Sequence, residues 1–190
     1  MPLSGDLVSL REVREDDLPM FVRLRNELAT QAWSRTLPTD YTAEMMRRRY
    51  LDRDFQYRRV DAIFVIEVHE TGEAVGTISY TGLIDRMEAR WGIAVDRSVW
   101  GSGAAADAGE TLLRFLFLEL GLKVVRLGTQ TENERAVAAF SKLGFRPAVR
   151  VPLSVYKAGR HVENLFMDML REEWFALHPR DHDEMVDPHV

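Results

Sequence analysis

A turn of small residues, Gly101-Ser102-Gly103-Ala104-Ala105 behind Trp100, separates a strand-like segment, Glu88 to Val95, from the strongest helical pattern in the chain, Gly103 to Leu120. Glycine lets a backbone turn sharply and approach a ligand closely. The first N–H groups of a helix have no partners within it, so they can receive phosphate oxygens without a lysine. On spacing alone the turn is either an anion-binding helix entrance or a plain tight turn. Two other phosphate motifs do not fit. A P-loop ends in Gly-Lys-Ser/Thr, which is absent. A Rossmann fingerprint needs a third glycine and an acidic residue ending the next strand, where this chain has Ala105-Ala106 and Leu127-Gly128-Thr129.

Before the turn, Leu7 to Val13 reads as a first strand. Asp16 and Asp17 stand at a capping position ahead of an apolar stripe of Leu18, Phe21, Val22, Leu24 and Leu28. A second helix follows Asp40, through Ala43 to Tyr50, with Arg47 to Arg49 as its solvated face. Ala62 to Val68 and Val75 to Tyr80 form a hairpin about Thr71-Gly72-Glu73-Ala74. After a loop at Leu83 to Met87, Glu88 to Val95 completes an antiparallel meander.

Beyond the turn, Leu112, Leu116 and Leu120 recur four apart beside Leu113 and Phe117, and Gly121 is placed to end the helix. Val124 to Leu127 is a strand, and Glu134 to Leu143 a helix stopped by Gly144. Val149 to Tyr156 and Val162 to Leu170 make a last hairpin about Ala158-Gly159-Arg160. The order β-α-α-β-β-β-α-β-α-β-β predicts a mixed α/β (α+β) fold with a central sheet flanked by helices. One domain is expected over residues 1–177, with a polar tail over 178–190.

Composition removes several classes of chemistry. The 190 residues include no Cys, which excludes disulfides, thiolate metal sites and a cysteine nucleophile. A net charge of -5 offers no bulk positive field, so neither nucleic acid nor membrane is an expected partner. His69, His161, His178, His182 and His189 form no persuasive ligand set, so no metal is expected, and His161 reads as a surface turn residue. No nucleophile elbow is present for Ser-His-Asp catalysis. There is no basic leader or membrane-length apolar run at the N-terminus, which points to a cytoplasmic protein.

A second stretch gives the glycine turn its context. Leu127-Gly128-Thr129-Gln130-Thr131-Glu132-Asn133-Glu134-Arg135-Ala136 continues to Lys142-Leu143-Gly144-Phe145. Gly101-x-Gly103-x-Ala105 followed by Asn133-x-Arg135-Ala136 and Lys142-Leu143-Gly144-Phe145 resembles the GCN5-related N-acetyltransferase (GNAT) family over nearly the whole chain, from Leu7 to Trp174. The likeness is greatest to the bacterial branch of ribosomal-protein alanine acetyltransferases. It implies an acyl-CoA N-acyltransferase fold with splayed middle strands, here those near Gly92–Val95 and Val124–Thr129. It also implies acetyl transfer from acetyl-CoA to an amine. By this resemblance Ile93, Ala94 and Val95 hold the pantetheine, and Trp100, Gly101, Ser102, Gly103, Ala104 and Ala105 the diphosphate. Asn133 matches the position that contacts the cofactor arm, with capping of its helix as the alternative role, and Phe140 completes the cofactor set.

The chain departs from the family in two places. Relatives often read Ala-Glu-x-Gly on the strand before the turn, whereas this chain reads Ala89-Arg90-Trp91-Gly92. Glu88, on the same strand face as Arg90, becomes the first candidate for general base, ahead of Asp85 and Glu67. Many relatives carry a proton-donating Tyr seven residues after the helix-start Asn, where this chain has Phe140. Phe donates no proton. Ser141, Tyr156 and Tyr80 are the remaining candidates, with water or the amine's own proton as the alternative.

The acceptor wall implied by the family involves the first two helices and the last hairpin. Trp33, Tyr80, Asp85 and Arg86 are the substrate candidates, with Tyr41, Tyr50 and Tyr156 as further contributors. An amine-bearing acceptor and a possible homodimer follow from the same resemblance. Arg90 and Phe140 also motivate a second reading, a catalytically weak or regulatory acyl-CoA-binding protein on the same scaffold.

Overall fold

Runs of β-branched and aromatic residues set the strands, and glycines with positive φ punctuate them. The computed structural model of the chain describes residues 3–28, 33, 40–52, 60–157, 159–179 and 181. Its contacts group into two compact units, Met1–Leu83 with Trp91–Leu112 and Ile84–Arg90 with Leu113–Val190.

The first unit is built on antiparallel strands. β1 (Leu3–Ser4), β2 (Val8–Arg11), β3 (Ala62–Val68) and β4 (Ala74–Ile84) follow one another, and β5 (Glu88–Val95) lies next to β4. The register sets Leu3 against Leu10, Val8 against Val68 and Ala62 against Tyr80. α1 (Leu18–Asn26) and α2 (Ala43–Tyr50) bury Leu18, Met20, Phe21, Leu24, Met46 and Tyr50 with Val65 of β3. Phe21 stacks on Tyr50 with ring centroids 4.3 Å apart. Thr42 caps α2 by accepting from the N–H of Met45.

Two expectations change here. Asp17 occupies the N-cap of α1, yet its side chain makes no cap hydrogen bond to that helix. Its oxygens accept from both terminal nitrogens of Arg11 at 2.8 Å each, and from the Arg14 N–H at 2.7 Å. A bidentate charge-assisted pair with a buried guanidinium outcompetes neutral helix N–H groups, and Pro19 removes one of those donors. Glu67 accepts from the remaining Nε of Arg11, which closes the cluster. α1 also ends at Asn26, which leaves Leu28 exposed instead of extending the stripe.

The second unit mixes strand directions. The start of β5 runs parallel to β6 (Val124–Gln130), with Glu88 against Val124 and Arg90 against Arg126. β8 (Arg160–Leu170) is antiparallel to β6 and to β7 (Arg146–Lys157), giving the order β5-β6-β8-β7. Val125 and Leu127 stand opposite Met169 and Met167, and all four are buried. α3 (Ala104–Arg114), assigned to the first unit as far as Leu112, continues as a π-helical turn over Phe115–Glu119, where the Leu120 N–H reaches back to Phe115 O. That turn buries Leu116 and Phe117 side by side, so Leu120 falls off the regular stripe. α4 (Glu134–Lys142) follows β6.

A last helix, α5 (Arg171–Leu177), has no counterpart in the sequence reading. Its anchor is Trp174, buried against Phe117 at 5.5 Å and stacked on His178 at 4.5 Å. β4 also runs on to Ile84, through residues that read as the start of a loop. The mixed α/β class and the helix-flanked sheet hold.

Candidate active site

In the first unit, β5 leads into a short 3-10 turn, Arg97–Val99, capped by Asp96. The Ser98 N–H and hydroxyl donate to Asp96 Oδ1 at 3.0 and 2.9 Å, and Arg23 Nε donates to Oδ2 at 3.0 Å. Led by the Ser98 N–H, these donors hold the Asp96 carboxyl below its ordinary range. Trp100 donates its indole N–H to Val95 O at 3.4 Å, with the Arg97 guanidinium 5.3 Å above its ring.

Gly101 and Gly103 follow with φ of 84° and 92°, the left-handed region in which side chains are strained. A Cβ on Gly103 would lie 3.2 Å from Leu7 Cδ1, whereas Gly101 faces open space. Ser102 Oγ accepts from the Ala104 N–H at 3.2 Å. The first helical bond runs from the Asp107 N–H to Gly103 O at 3.0 Å. Among the described residues the N–H groups of Gly103, Ala105 and Ala106 meet no protein acceptor. The glycine conformations and these unengaged donors fit a diphosphate at the head of α3.

Two further residues, Asp107 and Gly76, support this region. Asp107 accepts the N–H groups of Asp6, Leu7 and Val8 at 3.0, 2.8 and 2.9 Å. Gly76 of β4 lets that strand approach β5, because a Cβ there would sit 2.5 Å from Ala94 O. A glycine inside a strand is the signal for such an approach. Ile93, Ala94 and Val95 therefore lie on a strand held closely along one edge.

The other candidates are scattered. Tyr80 is 7% exposed in the first unit, its ring 6.5 Å from Phe64, and burial with nearby Asp61 raises its hydroxyl pKa. Tyr50, also buried, accepts a hydrogen bond from Arg25 at 2.9 Å. Tyr41 N–H donates to Asn26 Oδ1. Trp33 is half-buried and lies in a turn.

In the second unit, Asp85 and Arg86 form the exposed turn before β5, with Arg86 at φ 54°. Glu88 accepts from Arg126 Nε at 2.9 Å, and Arg126 also donates to Asp168 at 2.5 Å. Those hydrogen bonds, Glu88 first, raise the Arg126 pKa. Asn133, 8% exposed, caps α4 by accepting from the Ala136 N–H at 3.4 Å and donates to Thr129 Oγ1. Phe140 packs edge-on against Phe145 at 6.4 Å. Ser141 lines a groove of about 470 Å³ with Gly144, Phe145, Arg146, Glu172 and Glu173.

Tyr156 is 64% exposed at the tip of the last hairpin, against His161. The ladders place Glu88 level with Val124 and Leu170, and Tyr156 level with His161. Nine residues of β8 therefore separate the two levels, about 30 Å at roughly 3.4 Å per residue. Glu88 and Tyr156 are not brought together, so a single proton relay cannot use both.

The family described as the acetyltransferase (GNAT) domain matches residues 8–146, most of the chain. The chain belongs to the GNAT acetyltransferase family. It is an acetyl-CoA-dependent N-acetyltransferase, with acetyl-CoA as acyl donor. Among relatives of this acetyltransferase, the SPbeta prophage-derived uncharacterized N-acetyltransferase YokL of Bacillus subtilis is 26% identical over 177 residues, 92% of this chain and 96% of YokL. The uncharacterized N-acetyltransferase p20 of Bacillus licheniformis is 27% identical over 113 residues, 58% of this chain and 63% of its own. Of solved structures, the spermidine N-acetyltransferase from Vibrio cholerae in complex with CoA and spermine has a TM-score of 0.80 at 20% identity, covering 90% of this chain and 99% of that one. A GNAT acetyltransferase from Bacillus anthracis has a TM-score of 0.77 at 15% identity, with coverage of 90% and 99%. Among the described residues of the acetyltransferase, no helix is long and apolar enough to cross a membrane, and no His, Asp or Glu group forms a metal site.

Proposed function

We propose that this acetyltransferase moves the acetyl group of acetyl-CoA to the primary amine of a small molecule or a protein N-terminus in the bacterial cytoplasm. The observation that carries this reading is the entrance to α3, where two left-handed glycines leave helix N–H groups without protein acceptors directly after β5. The Vibrio cholerae neighbour, crystallised with CoA and spermine, adds weight to an amine acceptor.

Acetyl-CoA supplies the thioester carbon and the leaving thiol. Within the turn from Gly101 to Ala105 the unengaged N–H groups of Gly103 and Ala105 bind the diphosphate, and the backbone of Ile93 to Val95 orients the pantetheine. Asn133 contacts the arm. Glu88 takes a proton from the incoming ammonium, directly or through water. As the N–C bond forms and the C–S bond breaks, the proton lost by nitrogen returns to the thiol through solvent, since Phe140 has none to give. A homodimer belongs to the same reading, supported by the exposed Val149, Leu153 and Tyr156 of edge strand β7.

Calorimetric titration with acetyl-CoA, followed by colorimetric thiol release with an amine panel, tests the reading. The protein contains no Cys, so every thiol detected comes from CoA. Amine-dependent release is expected, while acetyl-CoA binding without release from any amine would overturn it.

A further inference from the structure

We infer that Arg90 selects acceptors in which the reactive amine is accompanied by an anionic oxygen group, a carboxylate or a phosphate. This rests on the reading of acetyl transfer to an amine. Alternation along β5 buries Ala89 and Trp91 and turns Glu88, Arg90 and Gly92 to the opposite face. On that face Arg126 serves two carboxylates at once, Glu88 at 2.9 Å and Asp168 at 2.5 Å. Arg90 stands directly opposite Arg126 in the parallel ladder, yet it is exposed and has no hydrogen-bond or ion-pair partner among the described residues.

The result is an asymmetry in open binding capacity. Arg126 holds both neighbouring carboxylates close, while the planar fork of Arg90, with its five N–H donors, is unused among the described residues. A guanidinium fork matches carboxylate and phosphate geometry bidentately. Arg90 lies two residues after Glu88, the proposed base, on the same face of one strand, about 7 Å along it. The fork and the base therefore suit the two ends of a short molecule, the anionic group at Arg90 and the amine at Glu88. A polyamine brings only positive charge toward Arg90, which the site disfavours.

The test uses matched amines with acetyl-CoA and the full-length protein: ethanolamine against O-phosphoethanolamine, propylamine against β-alanine, and spermidine. For at least one pair, kcat/KM is expected to favour the anionic member by about tenfold or more, through KM. The phosphate and carboxylate pairs decide which group is read. Arg90→Gln should collapse that ratio at an unchanged melting temperature and acetyl-CoA affinity, and Arg90→Glu should shift preference toward spermidine. A wild-type preference for the uncharged members or spermidine, or a ratio that survives Arg90→Gln, overturns the inference while acetyl transfer stands. Acetyl-CoA binding with no thiol release from any of these amines overturns the amine-transfer reading, and this inference with it.

Discussion

The N–H of Leu7 donates to the carboxylate of Asp107 at 2.8 Å, joining residues a hundred positions apart. The neighbouring N–H groups of Asp6 and Val8 do the same, so the turn between β1 and β2 wraps the first turn of α3. Gly5 is required there, because a Cβ would come within 2.5 Å of Asp107 Oδ2. The side chain of Leu7 in turn lies against Gly103. The head of α3 is thus held by the N-terminal segment.

Asp107→Ala should leave three N–H donors without acceptors and lower stability by about 1–3 kcal/mol in urea unfolding. Asp107→Asn keeps one acceptor oxygen and should lose less. If the head of α3 holds the diphosphate, both variants raise KM for acetyl-CoA more than they lower kcat.

Gly101→Ala and Gly103→Ala each force a side chain into left-handed backbone, at about 1–2 kcal/mol. Gly103→Ala should be the worse of the two, since its Cβ also presses on Leu7. Thermal melts rank the variants, and calorimetry with acetyl-CoA should show weakened binding for both.

Asp96 supplies a pH signature. Its folded pKa lies below the ordinary value, chiefly through the Ser98 N–H. A depressed carboxyl contributes stability that is complete above its unfolded pKa, about 3.9, and is lost as pH falls through the folded value. The gap in melting temperature between wild type and Asp96→Asn should therefore be widest near neutrality and close below about pH 4. A gap that widens with acid would contradict this assignment.

Glu88→Gln should lower kcat at neutral pH by about a hundredfold or more if Glu88 is the base, with acetyl-CoA affinity retained. Asp168→Asn, which alters the other carboxylate on Arg126, serves as the control. Kinetics unchanged across the pH range would remove Glu88 from the role.

The long helix and the meander were legible because Leu112, Leu116 and the Ala62–Val68 run carry strong local periodicity. Asp17 was not, because the competitor for its carboxylate, Arg11, is supplied by a strand pairing that no local pattern encodes. α5 escaped notice for a similar reason: it is held by one buried indole, Trp174, and seven residues are too few to display a stripe. The glycine turn could be read from composition and placement, but the three-fold grip on Asp107 spans the chain and leaves no trace in spacing. The separation of Glu88 from Tyr156 depends on strand register across β6 and β8, which residue types alone do not specify.

The alternation of β5 also limits how this chain can change in length. Ala89 and Trp91 point into protein while Glu88, Arg90 and Gly92 face away. Deleting or inserting one residue between Glu88 and Trp91 would put Arg90 and Trp91 out of parity with the rest of the strand or with its pairing to β6, driving a guanidinium inward or an indole outward. The exposed Asp85–Met87 turn just upstream has no such parity to keep. Variants of different length should therefore be recoverable from libraries at that turn and absent from the strand, a boundary only a few residues wide.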